Sequence, residues 1–385
     1  MTPQAGHFSR FLFGHYAYAG TFATYASLFF AARGMSAAQV GVLMALIQVM
    51  RIVGPNLWGS IADHTGRHAA VLRFIALAAL VSFVSFFFAG SFGALFAAML
   101  LVNLFTTAQP TLCEALALAE MRGDLSNYGR VRLWGSVGFI VAVTSAGYAL
   151  EHWGVEALPW IGIGLLLPVA CVSCTIREVP AAHDVHAERP PVLRLLMRRD
   201  VALFFASWAL MVAAHMALYV YYSLYLERNG YSKSVIGIMW SLGVLAEIVL
   251  FRFQARLFRR FGARRVMLAA FAVAVFRFVV IGAVPDVLAV LVLAQLLHAF
   301  SFAAHHSASI ITMQRWFAGP LQARGQALYM SIGYGVGGTG GSLFMALCWE
   351  RMGAAAVYYA AALLAAAGML CASRIRGATP AGPDP

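Results

Sequence analysis

Two carboxylates and two guanidiniums sit inside stretches that are otherwise apolar. Glu114 lies in Pro110-Thr-Leu-Cys-Glu-Ala-Leu-Ala-Leu, and Glu247 in Trp240-Ser-Leu-Gly-Val-Leu-Ala-Glu-Ile-Val-Leu. Arg51 interrupts Leu46-Ile-Gln-Val-Met-Arg-Ile-Val, and Arg277 interrupts Ala272-Val-Ala-Val-Phe-Arg-Phe-Val-Val. A charge at bilayer depth costs at least about 2.5–3.5 kcal/mol on insertion scales. A chain that keeps four of them uses them, and in a polytopic protein the use is a substrate or proton path. The chemistry on offer is limited. A carboxyl can load and release a proton, and a guanidinium can fork onto a carboxylate with two parallel bonds.

The elements that must carry these groups follow from composition. The chain has 385 residues, 62% of them hydrophobic and only 11% charged, with a mean hydropathy of +0.78. A soluble domain carries about 25% charged residues, so the composition is that of an integral membrane protein. Apolar runs long enough to cross the roughly 30 Å hydrocarbon core recur along the whole length. None shows the ten-residue alternation of a membrane barrel, so the spans are helices that satisfy their own backbone hydrogen bonds. Twelve candidate spans are read at 9–32, 37–61, 69–90, 92–118, 129–150, 157–176, 201–226, 234–251, 266–284, 287–314, 325–348 and 354–373. Pro110 and Pro168 are candidate kinks. The fold class expected is an all-α membrane protein of twelve transmembrane helices in two six-helix bundles. The N-terminal bundle covers residues 1–178, a polar cytoplasmic linker 179–199, and the C-terminal bundle 200–385. The first span is too long for a signal peptide and is read as a retained helix.

The net charge of +12 is explained by where the arginines fall. With the N-terminus inside, the inner segments hold most of them, including Arg67, Arg73, Arg122, Arg130, Arg132 and the run from Arg252 to Arg265. The outer loops hold only Arg33, Arg228, Lys233 and Arg351. This is the positive-inside asymmetry, and it places both termini in the cytoplasm. No soluble basic domain exists to bind nucleic acid. Cys113, Cys171, Cys174, Cys348 and Cys371 are scattered, and the Cys171–Cys174 spacing inside an apolar run reads as packing, not as a metal or redox site. Neither a metal nor a cofactor is expected. The run Gly333-Tyr-Gly335-Val-Gly337-Gly338-Thr-Gly340-Gly341 lies in a predicted span with no strand before it, so it reads as a close-packing or bending element and not as a dinucleotide loop.

The chain repeats internally. Gly59-Ser-Ile-Ala-Asp63-His-Thr-Gly66-Arg67-His68 follows the second span, and Gln254-Ala-Arg-Leu-Phe-Arg-Arg-Phe-Gly262-Ala-Arg264-Arg265 follows the eighth. The offset that sets Gly66 on Gly262 is close to half the chain, and the same offset carries Arg51 onto Glu247. Two related halves about an axis along the membrane normal, with a shared midplane site, are the expectation.

The Gly59–Arg67 stretch resembles the loop signature of the major facilitator superfamily, glycine and aspartate followed by glycine and arginine. The resemblance implies a gating role for Gly59, Asp63, Gly66 and Arg67: the glycines turn the chain, Asp63 caps a neighbouring helix, and Arg67 holds helix ends. Tyr128-Gly-Arg130-Val-Arg132-Leu-Trp-Gly-Ser is similar to a stretch in the oligosaccharide:proton symporters. In that family the second arginine pairs with a glutamate at the end of the preceding helix to bind substrate, and Glu114 precedes Arg132 at the family's spacing. Arg277 and His298 match its coupling arginine and histidine. Its proton-carrying glutamate, three residues beyond the histidine, is Ser301 here, and Glu247 falls about one turn later than its helix 8 glutamate. Over nearly the whole chain the resemblance is better to the 3-phenylpropionate permeases, in Gly230–Glu247, Ala214-His215, Arg51 and Gln295-Leu-Leu-His298.

The resemblance implies a non-enzymatic, monomeric, multi-pass protein of the bacterial inner membrane. It would import a small organic acid, an aromatic carboxylate of the phenylpropionate type, together with protons. Glu247, His298 and Arg277 would couple the proton. Arg51, Glu114, Arg132, His215 and Tyr219 would hold substrate. Glu247 could instead be a permanently ionised partner of Arg277 or Arg132, and Arg51 or Arg277 could be spent on Glu247. The alternative functions are a sugar or nucleoside proton symporter, with Glu114 and Arg132 on hydroxyls, and an efflux antiporter. A membrane enzyme would need metal ligands, a nucleophile motif or a phosphate loop, and the sequence offers none.

Overall fold

The computed structural model describes residues 4–179 and 193–375. Most of the segment read as a linker therefore lies outside the described residues. The described residues are helical and contain no strand, and nine of their helical stretches are long and apolar enough to cross a membrane. The helices are α1 (Ala5–Ala32), α2 (Ala37–Thr65), α3 (His68–Phe83), α4 (Phe92–Thr106), α5 (Gln109–Glu120), α6 (Leu125–Trp153), α7 (Leu158–Ser173), the short α8 (Leu193–Leu196), α9 (Arg199–Arg228), α10 (Lys233–Ala283), α11 (Leu288–Leu296), α12 (His305–Trp316), α13 (Gln322–Met330), α14 (Thr339–Met352) and α15 (Ala356–Ser373). Two π-helical stretches, Ala299–Ala304 and Ser331–Gly338, lead into α12 and α14.

The chain forms two compact units. One comprises the described residues within 1–183 and 226–241, and the other those within 184–225 and 242–385. In the first, α1 packs along α6 and α7, and Phe8, Phe11, Leu12, Leu72, Ile75 and Val169 belong to its core. Lipid is as apolar as leucine, so close packing rather than transfer from water holds such helices together. Local sequence starts the helices. Ser36 and Gln39 form a reciprocal capping box on α2, and Ser91 caps α4. Asp124 caps α6, accepting from the backbone N–H groups of Ser126 at 2.9 Å and Asn127 at 3.2 Å. The bond from Asn127, ahead of that from Ser126, holds this exposed carboxyl below the usual carboxylate range. Pro110 does not kink a continuous helix. The span read as 92–118 breaks at Thr107–Ala108, and Pro110 stands in the first turn of α5, where its missing N–H costs nothing.

The second unit departs further from the sequence reading. The basic stretch 252–265 is expected as a loop, but α10 runs 51 residues through it. Arginine, leucine, phenylalanine and alanine all sustain a helix, and the break is confined to Gly262, at φ 74° and ψ 155°. Its repeat counterpart, Gly66, ends α2 at φ 64° and ψ 17°. A β-carbon is penalised at both angles. Gly59, expected to shape the same turn, instead lies inside α2 with open space where a side chain would be. The glycine run supplies close packing: Gly337 and Gly341 lie against Ala209 and Ala213 of α9, too near for a β-carbon.

Candidate functional site

In the second unit the structure gathers five of the residues singled out from the sequence. Arg277, on the outgoing arm of α10, is 0% exposed. Its Nε donates to the Ala294 carbonyl at 2.5 Å, its Nη2 to Gln295 Oε1 at 2.6 Å, and its Nη1 to His298 Nδ1 at 3.0 Å and Ser301 Oγ at 3.4 Å. The incoming arm of α10 carries Glu247, whose Oε1 lies 3.1 Å from His298 Nε2. His215 of α9 lies 5.7 Å from His298 between ring centroids, and Tyr219, one turn on, 6.5 Å. The guanidinium is donor-only. His298 Nδ1 must therefore accept from Arg277, which leaves the single ring proton on Nε2, aimed at Glu247. His298 is thus a neutral, oriented spacer between the cation and the carboxylate.

That order corrects one expectation. Arg277 and Glu247 are possible direct partners by sequence, but the imidazole stands between them, because the π-helical turn after α11 brings His298 and Ser301 onto the same guanidinium. Each of the three nitrogens of Arg277 donates to a neutral acceptor, and the residue is sealed. Gln295, a further ligand of that guanidinium, escapes the sequence reading of site residues. Its signal is present: a polar residue three positions before His298 in a span of leucine, valine and alanine. His215 uses Nδ1 on the Met211 carbonyl at 2.9 Å, and its buried Nε2 has no hydrogen-bond partner among the described residues.

The first unit holds a separate group. Arg132 Nε lies 3.0 Å from Glu114 Oε1, joining α6 to α5 as their spacing anticipates, and its guanidinium carbon sits 4.1 Å above the Tyr16 ring of α1. The Arg132 side chain is 35% exposed and that of Glu114 27%. Arg51 is exposed, and its Nη1 donates to the buried Gln48 at 3.3 Å. At the gating loop the expected cap is absent. Asp63 pairs with His68 at 2.9 Å, while Glu178 accepts from the Ala69 backbone N–H at 3.0 and 3.2 Å and so closes the start of α3. Arg67 is the N-cap residue of α3 and makes no side-chain capping bond. Glu178 lies beyond α7, far along the chain from Ala69, and nothing local announces it.

A family profile described as MFS_1 like matches residues 7–360. The chain belongs to that family. Among its relatives, a protein of Escherichia coli K12 described as a probable 3-phenylpropionic acid transporter is 30% identical over 82% of this chain and 83% of its own length. The maltose permease of Geobacillus stearothermophilus is 25% identical over 84% of this chain and 82% of its own. A crystal structure of the nucleoside transporter NupG matches at a TM-score of 0.83 and 16% identity, covering 97% of this chain and 98% of the other, and a POT family peptide transporter matches at 0.74 and 15%, covering 99% of each. These likenesses fix the fold. This MFS_1 like chain is a multi-pass membrane transporter of the major facilitator type and not an enzyme. Apolar side chains of similar volume would hold these helices together at lower cost than a charged Arg–His–Glu array.

Proposed function

We propose that this transporter is a proton-coupled symporter of the bacterial inner membrane, importing a small organic acid of the aromatic carboxylate type. The observation that carries the reading is Glu247 held by a neutral, donor-oriented His298. A carboxylate in that position receives a fixed hydrogen bond from His298 and can gain a proton without displacing Arg277. Protonation weakens the His298 bond, which is charge-assisted only while Glu247 is ionised. Loading the proton therefore changes the stability of one conformation relative to another, as any coupling ligand must. The substrate carboxylate would be taken by Arg132 or Arg51 of the first unit. We read the chain as twelve spans in two six-helix halves, 1–178 and 200–385, joined by 179–199, monomeric, with both termini in the cytoplasm and working by alternating access. The likeness to the E. coli relative supports the substrate class.

A second reading, a sugar or nucleoside symporter, is favoured by the Glu114–Arg132 pair over Tyr16, a donor–acceptor set suited to hydroxyls. The test is uptake into proteoliposomes under an imposed inward proton gradient, with labelled 3-phenylpropionate, maltose and uridine in parallel. Gradient-dependent accumulation of 3-phenylpropionate alone supports the first reading. Accumulation of maltose or uridine alone selects the second, and gradient-driven expulsion from loaded vesicles overturns both.

A further inference from the structure

A second imidazole lies two helical turns beyond His298 and in a different setting. The rings of His298, Phe302 and His306 form a column: His298 and Phe302 are 5.5 Å apart and 3° from parallel, Phe302 and His306 6.3 Å and 18°. The column follows the π-helical stretch Ala299–Ala304 into α12. π-Helical residues are rare in proteins and concentrate at functional sites. At the far end, His306 Nδ1 is 3.0 Å from the hydroxyl of Tyr329. Tyr329 is itself fixed. It is fully buried, its ring stacks on Trp208 at 4.3 Å and 9°, and its carbonyl accepts from Trp208 Nε1 at 2.9 Å. Immediately after it comes the second π-helical stretch, whose Gly333 presses so close to the Trp208 indole that a β-carbon has no room.

The two histidines differ in what their Nδ1 partners can do. Arg277 only donates, so His298 cannot take a second proton without breaking that bond. A tyrosine hydroxyl donates or accepts. It can accept from the Nδ1–H of neutral His306, which leaves Nε2 as the unprotonated base, and it goes on accepting from the same Nδ1–H in the imidazolium. The arrangement tolerates both charge states at His306 and one at His298. His306 is half-buried, and its Nε2 has no hydrogen-bond partner among the described residues. The titratable or charged groups around it are Glu247 of α10, within electrostatic range, Tyr329 of α13, and His305 beside it on α12. Trp208 of α9 is the other wall.

We propose that His306, with Tyr329 as its hydrogen-bond partner, is the second proton-carrying residue of this transporter, receiving the proton from Glu247 and passing it toward the Arg315 end of α12. The O–H bond of the Glu247 carboxyl breaks, a water between the groups relays the proton, and an N–H bond forms at His306 Nε2. The imidazolium then returns that proton to water and regains its neutral form. This rests on the symport reading of Glu247.

The experiment uses proteoliposomes of the full chain with an entrapped pH-sensitive dye, 3-phenylpropionate, maltose and uridine as probes, and counterflow of the same probes as the second readout. His306→Phe keeps the ring in the column and is expected to slow probe-dependent proton entry by roughly tenfold or more, the usual scale for losing an acid–base group, while counterflow, which needs no net proton movement, continues. Tyr329→Phe is expected to shift the pH profile of proton entry with counterflow intact. Wild-type proton entry in His306→Phe overturns the proposal. Should that variant lose counterflow as well, Tyr329→Phe decides, and an unshifted profile overturns it. Loss of proton-driven accumulation in Glu247→Gln but not in His306→Phe defeats this proposal alone. Absence of proton entry with every probe in the wild type defeats the symport reading and this one with it.

Discussion

Replacing Arg277 by lysine keeps the positive charge and removes the fork. In the structure three separate nitrogens, Nε, Nη2 and Nη1, reach Ala294, Gln295 and His298 at 2.5, 2.6 and 3.0 Å. A lysine presents its donors from a single atom and can serve one of these directions well. Two bonds to a charged donor are then lost, each contributing about 1.5–3 kcal/mol, so the variant is destabilised by about 3–6 kcal/mol. The loss has a second consequence. Where the lysine turns to Ala294 or Gln295, the acceptors at 2.5 and 2.6 Å, His298 Nδ1 loses its donor and the ring proton is no longer confined to Nε2. Thermal unfolding in detergent reads the first effect. The nitrogen resonances of selectively labelled His298 read the second, with the Nε2–H tautomer in the wild type and a mixed population in the variant. Arg277→Lys with unchanged thermal stability and an unchanged His298 tautomer would refute the donor-only reasoning on which the proposed coupling rests.

The remaining predictions concern the first unit. Glu178→Gln weakens the two bonds that close the start of α3 and loosens the contact with His68, so accessibility of that helix end to hydrogen exchange rises while α2 is unchanged. Arg132→Lys keeps a charge opposite Glu114 but loses the flat contact with Tyr16, a cation–π interaction of about 0.5–2 kcal/mol. Apparent affinity for the transported probe falls by up to roughly thirtyfold on that scale, read as a rise in half-saturating concentration in counterflow.

What can be seen in advance follows the cost of charge. A residue that is expensive in lipid marks itself, which is why Glu114, Glu247, Arg51 and Arg277 stand out, and why the Glu114–Arg132 spacing points to a pair the structure contains. The order of contacts is not visible in the sequence. His298 stands between Arg277 and Glu247 because the backbone widens into a π-helix over Ala-Phe-Ser-Phe-Ala-Ala, a stretch without proline or glycine to announce it. The arginines of 252–265 read as a loop because positive charge and loop coincide at membrane surfaces, yet the same residues propagate a helix, and only Gly262 stops it. Glu178 replaces Asp63 as the cap of α3 because a carboxylate distant in the chain arrives by tertiary folding. His306 reads by sequence as one of two adjacent histidines; its significance depends on the Tyr329 hydroxyl, which a different helix supplies.

The central claim is that the transported proton resides on Glu247. The direct measurement compares Glu247→Gln with wild type in proteoliposomes, recording labelled 3-phenylpropionate accumulation under an inward proton gradient alongside its counterflow without one. The expected result is a variant that exchanges substrate but no longer concentrates it, whatever the gradient. Accumulation by Glu247→Gln against a concentration difference, at the wild-type level, would contradict the claim.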